Sequence, residues 1–279
     1  MTIHWPSAAG MHALSIAVAL LVPSAPGLSQ GIGGEPVGAA EWVETDGGRV
    51  RLLLGTPEET GALPGALEIE LREGWKTYWI APGPAGIPPQ LDAAGSDNVT
   101  LEAIRHPAPE RFEEAYGMST GYRDDVAFAL DFALADPRAP ATLRLDGFLG
   151  ICEEICIPVP LRFEARIDGN VTQPFDTAQG IERARLALPL DSDREVRVDR
   201  VGNVLRVLGE GVVEAGEVYV APPGTLALGE GRPIPGGLEY PILRGEGEGE
   251  TIVVLRNGTG PLARDTFARP VLSAPADPS

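Results

Sequence analysis

Two cysteines, Cys152 and Cys156, stand in the stretch GICEEICIP (Gly150 to Pro158), separated by Glu153, Glu154 and Ile155. Thiols at this spacing have three chemistries open to them: a structural crosslink, a metal clip, or reversible thiol–disulfide exchange. As a crosslink the ring is small, and chain entropy gives it only about 2 kcal/mol, less than a long loop would gain. A structural zinc site needs about four ligands of the Cys/His type. Apart from His4 and His12 near the N-terminus, His106 is the single histidine, which argues against zinc. Two-coordinate Cu(I) asks for less, and Cys152, Cys156 and the Met118 thioether would be its ligands. For exchange, Glu153 and Glu154 place negative charge beside both sulfurs, which disfavours a thiolate and leans the pair towards a reductant rather than an oxidase. Cys/His hydrolysis has little to stand on, because His106 precedes Pro107 in a predicted loop. No P-loop, no GxGxxG after a strand and no HExxH motif is present.

The elements that must position this pair are strands. The chain has 279 residues, 43% of them hydrophobic, with 35 glycines and 27 prolines among short Val/Leu/Ile runs, a composition of many strands joined by tight turns. Strands are expected at Arg49 to Gly55, Ala66 to Arg72, Trp75 to Ile80, Val99 to Arg105, Val126 to Phe132, Ala141 to Phe148 and Val159 to Ile167. Alternation such as Leu67/Ile69/Leu71 against Glu68/Glu70 predicts one buried and one wet face, as in an antiparallel sandwich. The proline-rich Ala81 to Leu91 reads as a loop or a sheet edge, and Ile181 to Leu188, ended by Pro189, as the single helix. The charged LDSDREVRVD (Leu190 to Asp199) reads as a linker into a second region of short strands without Cys or His. That region is expected to bind or space rather than catalyse.

A net charge of −18 with Lys76 as the only lysine excludes nucleic acid and anionic membrane surfaces as partners, since both demand clustered basic residues. Met11 to Val22 is apolar but too short to span a bilayer, and small residues follow it up to Ser29. It reads as a signal peptide, residues 1–29, cleaved near Ser29 or Gln30. No later segment is long and apolar enough to be transmembrane. The expectation is a soluble periplasmic protein, in a compartment where disulfides persist.

Several stretches then resemble one family, from about Glu41 to Ile167. GWKTYWIAPGPAGIPPQLD (Gly74 to Asp92), GSDNV, HPAPERF, EEAYGMSTGYRDDV (Glu113 to Val126) and GICEEICIP follow one another as in the N-terminal periplasmic domain of the thiol:disulfide interchange protein DsbD. The cysteine loop is most similar to ScsB-type relatives associated with copper tolerance. The resemblance implies an immunoglobulin-like all-β sandwich over residues 36–172, and the residue pattern beyond it adds a linker with a short helix at 173–194 and a second small β domain at 195–274. It makes Cys152 and Cys156 the redox pair, with Cys156 the sulfur that forms mixed disulfides. It places Glu113, Glu114, Tyr116 and Gly117 in a cap loop over the disulfide, and Trp75 and Tyr78 as its aromatic neighbours. Ala115 stands where the DsbD cap has a phenylalanine, so shielding would fall to Phe112, Tyr116, Met118 or Tyr122.

The relatives continue into a membrane electron transporter and a thioredoxin-like domain. For this chain the expectation is that electrons arrive in trans, from a membrane or thioredoxin-like protein, and pass to an oxidised envelope protein without any cofactor. The rival readings are a non-catalytic binding module with a structural disulfide, and Cu(I) capture.

Overall fold

The computed structural model describes residues 35–36, 38–84, 86–114, 117–168, 174–247, 249–257 and 265–272; the expected signal peptide lies outside them. In the first half the strands are β1 (Glu35–Pro36), β2 (Val43–Thr45), β3 (Gly48–Leu54), β4 (Ala62–Leu71), β5 (Lys76–Tyr78) and β6 (Gln90–Asp92). They continue with β7 (Val99–Arg105), β8 (Glu110–Glu114), β9 (Gly117–Tyr122), β10 (Val126–Leu134), β11 (Ala141–Cys152) and β12 (Cys156–Ile167). Helix α1 (Phe175–Leu186) follows. The rest is β13 (Leu190–Val201), β14 (Val204–Leu208), α2 (Glu210–Glu214), β15 (Glu217–Ala221), β16 (Ala227–Leu228), β17 (Arg232–Ile234), β18 (Gly237–Arg244), β19 (Ile252–Arg256) and β20 (Thr266–Leu272).

Two sheets make the immunoglobulin-like sandwich. One runs β1-β12-β11-β5-β9-β8 with β6 also on β11, and the other β2-β3-β4-β10-β7. Their inward rows meet in a single core: Leu52, Leu67 and Phe128 from one sheet, Leu143, Leu145 and Ile151 from the other, all buried. This is the burial that alternating strands demand, since each sheet has one apolar face to hide. On the outer face of the second sheet, Arg51 sits opposite Glu68 and Arg49 opposite Glu70, each pair bridged; the more exposed Arg49–Glu70 pair adds about a few tenths of a kcal/mol.

Helix α1 covers the rest of that face, packing Ile181 and Ala184 on Leu53, Ala66 and Ala129. The glycine at 180 permits the approach, because a Cβ there would lie 2.4 Å from Leu53. The helix starts six residues before the predicted Ile181, at Phe175. Its first turns carry an exposed Phe175 and Gly180, so they lack the apolar period that marks a helix in sequence.

The third sheet runs β15-β19-β20-β13-β14-β18-β16, with β17 on β18. The predicted linker at Leu190 to Asp199 is instead most of β13, a continuous strand. Its charges face outward while Val196 and Val198 alternate into this sheet's own core, so local charge density concealed a period-two pattern. The predicted second region also contains α2, a single helical turn too short to signal itself. Strand β15 is buried on both sides: Val218 and Val220 enter this core, whereas Tyr219 and Ala221 enter the core of the sandwich. No helix among the described residues is long and apolar enough to cross a membrane.

His106 is buried against the Phe128 ring, 4.5 Å between centroids, and its Nε2 has no hydrogen-bond partner among the described residues. Burial pushes its pKa from 6.5 down to about 4. The unfolded imidazole therefore binds a proton that the folded one refuses, and stability falls as pH drops from 6.5 towards 4. Urea midpoints of wild type and His106→Leu across pH 7 to 4 check this; the variant should lose much of the slope in that window.

Candidate functional site

Strands β11 and β12 form one long hairpin in which Cys152 lies directly opposite Cys156. The two are disulfide-bonded, with Cα atoms 4.2 Å apart. The crosslink therefore closes the hairpin's end across Glu153, Glu154 and Ile155, all exposed. Residues paired across strands project to the same face, and successive residues to opposite faces. Cys152 pairs with Lys76, Tyr78 with Gly121, and Gly121, Ser119 and Gly117 with Glu110, Phe112 and Glu114. Both cysteines, Lys76, Tyr78, Phe112, Glu114 and Ser119 thus share the outer face of the sheet, while Thr77, Ile151 and Tyr122 share the inner face and join the core side.

On that outer face a second, smaller apolar cluster has formed from Tyr78, Phe112 and Cys152, with Ile87 and Cys156 at its margin. The Tyr78 and Phe112 rings are 6.2 Å apart. Cys152 is 1% exposed, whereas Cys156 is only partly covered. The proline-rich stretch answers to both of its predicted descriptions, for 81–84 and 86–89 are irregular and Gln90–Asp92 is an edge strand on β11. It packs on the Tyr78 ring, where a Cβ at Gly86 would come within 2.8 Å of that ring. Gly150 admits Tyr78 and Ile87 from the other side, since a Cβ there would lie 2.8 Å from Ile87 and 3.2 Å from Tyr78.

A polar chain runs through this cluster to one sulfur. The Tyr78 hydroxyl lies 3.0 Å from Cys156 Sγ and donates to Glu114 at 3.1 Å. Lys76 Nζ is 2.9 Å from the same carboxylate and donates to the Glu153 carbonyl at 3.0 Å, and the Ser119 hydroxyl donates to the other Glu114 oxygen. Lys76 also lies over the Phe112 ring, 5.6 Å from its centroid, a favourable placement for an ammonium. One lysine thereby joins β5, the β8–β9 hairpin and the cysteine hairpin.

Burial pushes the Glu114 carboxyl up. Hydrogen bonds from Ser119 and Lys76, the Lys76 charge and the Tyr78 hydroxyl outweigh it and hold the group below its ordinary 4.5. Burial, the Glu114 charge and the bond to Glu114 push the Tyr78 phenol above its ordinary 10.

The predicted site residues separate in space. Cys152, Cys156, Tyr78 and Glu114 are brought together. Trp75 packs on the main core, against Gly47. Glu113 points away from the site and is exposed, Gly117 is the positive-φ residue after the hairpin turn, and Tyr116 and Ala115 lie outside the described residues. Among the proposed shields, Phe112 covers the pair. Tyr122 belongs to the main core, and Met118 is 42% exposed on the strand face opposite Ser119. Lys76, Ser119 and Ile87 are site residues that sequence reasoning passed over. Lys76 carried a signal, as the only lysine of a strongly acidic chain; Ser119 and Ile87 carried none.

The fold and site define an immunoglobulin-like all-β domain with a cross-strand cysteine pair beneath an aromatic and acidic cover. Residues 56–166 match the family model for the N-terminal domain of the thiol:disulfide interchange protein DsbD. That segment is similar to DsbD N-terminal domains over somewhat less than half of the chain. Its fold is similar to the N-terminal periplasmic domain of ScsB from Proteus mirabilis, with TM-score 0.58 and 21% identity over 82% of this chain and 96% of that one. The N-terminal domain of Neisseria meningitidis DsbD in the reduced form aligns at 21% identity and TM-score 0.28, over 44% of this chain and 86% of that one. No curated protein matches the sequence.

Because the folded Glu114 carboxyl sits below 4.5, the stability it contributes is present above that value and is lost as pH falls through its depressed pKa. Glu114→Gln should therefore show a shallower loss of urea midpoint than wild type between pH 5 and 3. It should also be less stable than wild type at pH 7, where the Lys76 bridge is broken only in the variant.

Proposed function

We propose that this chain is a periplasmic thiol–disulfide exchange protein. It accepts two electrons from a thioredoxin-like or membrane electron-transfer protein in trans and passes them to an oxidised envelope protein. The observation that carries the reading is the asymmetry of the pair: Cys152 is sealed, while Cys156 is partly open and touches the Tyr78 hydroxyl. The family match over the segment holding both cysteines supports the same chemistry, and the likeness to the periplasmic domain of ScsB supports an envelope location.

In the exchange a partner thiolate attacks Cys156 Sγ. The Cys152–Cys156 bond breaks, Cys152 leaves as a thiolate and takes up a proton, and a mixed disulfide joins Cys156 to the partner. The partner's second thiolate then attacks its own sulfur in that bond. The partner leaves as a disulfide, and this chain keeps two electrons and two protons. Donation to a target runs the same steps in reverse, with Cys156 as nucleophile.

While the disulfide is intact Sγ has no hydrogen, so the single phenolic hydrogen of Tyr78 serves Glu114. When a Cys156 thiolate forms, that hydrogen can turn to the sulfur and stabilise it. Glu153 and Glu154 both lie in water, where solvent weakens their effect on the sulfurs; Glu114, close by and partly buried, is the acid that bears on Cys156. In this reading residues 36–172 are the redox module and 195–274 a supporting one.

Cys152→Ser leaves Cys156 free to attack with nothing to resolve the product. It should accumulate a mixed disulfide with a thioredoxin-like protein or an envelope disulfide protein, detectable on non-reducing gels and by mass. Cys156→Ser should accumulate far less. Failure of Cys152→Ser to trap any thiol partner, together with a wild-type disulfide inert to thioredoxin-like reductants, would reject the reading in favour of a structural crosslink.

A further inference from the structure

The strands that build the outer-face cluster also present alternate residues on their other face, and there they meet the third sheet. Tyr78 faces the disulfide, and its neighbour Trp79 meets Tyr219 of β15 edge to face, ring centroids 6.3 Å apart. Phe112 faces the disulfide, and its neighbour Arg111 lies over the same Tyr219 ring, 4.5 Å from the centroid. The Arg111 guanidinium also donates to the Val218 carbonyl and pairs with Glu217 at 3.5 Å. Tyr219 is fixed in turn: its hydroxyl donates to Glu217 at 2.7 Å, and Arg256 lies 5.4 Å from the ring centroid while its Nη1 donates to that hydroxyl at 3.3 Å.

β8 is the edge strand of its sheet, paired on one side only, to β9. A two-stranded edge element of polar sequence has little burial of its own to hold it, and opening free energies across a protein follow local burial. Among the described residues of β8, Phe112 is the one fully buried, and it is buried against the site itself. Arg123 also lies over the Phe112 ring and donates its backbone N–H to Glu110, and Ile87 packs on the same cluster; among the described residues, the hydrogen bonds and ion pair that tie β8 to the third sheet run through Arg111.

We infer that Arg111 is a positioning residue through which the third sheet, at Glu217, Val218 and Tyr219, holds the β8–β9 hairpin down over the disulfide and so sets how fast a thiol can reach Cys156. This assigns a role to the C-terminal β region: it backs the cover of the redox pair. The inference rests on the exchange reading for its biological meaning, while its physical content, access to a disulfide, can be measured without any protein partner.

The experiment uses the full chain and dithiothreitol as the small reductant at pH 7. Arg111→Ala should raise the second-order rate constant for reduction of the disulfide about tenfold, as expected when a cover opens more often. Its midpoint potential should stay at the wild-type value, because the cover affects access rather than the relative stability of the two redox states. Arg111→Lys should recover part of the slow rate, since an ammonium can pair with Glu217 but cannot stack on Tyr219 and reach the Val218 carbonyl together.

Hydrogen exchange should quicken at the amides of β8 and β9 in Arg111→Ala and stay unchanged in β14. Glu217→Gln, which weakens the clamp from the other side, should shift the rate in the same direction and serves if Arg111→Ala does not fold. Wild-type rates in both variants would overturn the inference, as would a raised rate with exchange quickened uniformly across the chain. A wild-type disulfide inert to a thioredoxin, with the Arg111 effect on dithiothreitol intact, would reject the exchange reading and leave the clamp standing.

Discussion

The pleat of two short strands governs this protein. β5 and β8 alternate their side chains between an outer face, where Tyr78 and Phe112 are buried in the cysteine cluster, and an inner one, and that cluster and the anchors beneath it are successive residues of the same backbone. Tyr78 cannot move without Trp79, nor Phe112 without Arg111, because a shift of one residue would exchange the two faces entirely. The chemistry on the outside therefore inherits its precision from burial on the inside. That burial includes Tyr219 and Ala221, which the third sheet contributes to the sandwich core.

Against that frame the disulfide is less a staple than a tension between two environments. Cys152 belongs to a small apolar cluster and is sealed there, and its partner stands at the end of a polar chain of Tyr78, Glu114, Lys76 and Ser119. Opposed surroundings of this kind are how a protein gives two chemically identical thiols separate tasks. The crosslink constrains only a hairpin end, so its contribution to stability is small beside that of the sandwich core. Lys76 matters here through placement rather than charge alone. It neutralises an acid that would otherwise oppose a Cys156 thiolate, and it bonds to the backbone of the cysteine hairpin, so cover and disulfide share one cation.

Much of the site was legible before the fold. The pair itself, Glu114 and Tyr78 were read from the sequence and lie together. Phe112 was one of several candidates to replace the missing cap phenylalanine at Ala115, and it is the one that packs on Cys152. Trp75 was misplaced because a strand of aromatics, WKTYW, does not reveal which of its two faces looks at the cysteines; Trp75 lies before β5 begins and packs on the core instead. Glu113, Glu114, Tyr116 and Gly117 read from the resemblance as a cap loop, whereas Glu113 and Glu114 end β8 and Gly117 begins β9 in the β8–β9 hairpin. Its residues are polar because its outer face carries a site and its edge faces water, so the apolar alternation that marks other strands is absent from it. β13 was hidden for a related reason, with charges outward at every second position and only Val196 and Val198 turned in.

By itself the sequence determined the class of fold, most of the sandwich strands and the position of the cysteine pair. Those follow from period-two hydrophobicity and from residue types that have few other uses, and both are local in the chain. Tertiary structure alone decided which sulfur is sealed, which carboxylate lies beside the other's tyrosine partner, and which residues of the C-terminal region touch β8. Each of these depends on contacts between residues far apart in sequence, such as Lys76 with Glu153 or Arg111 with Glu217. The register of strand pairing sets the first and the packing of one sheet on another the second, and no local pattern encodes either.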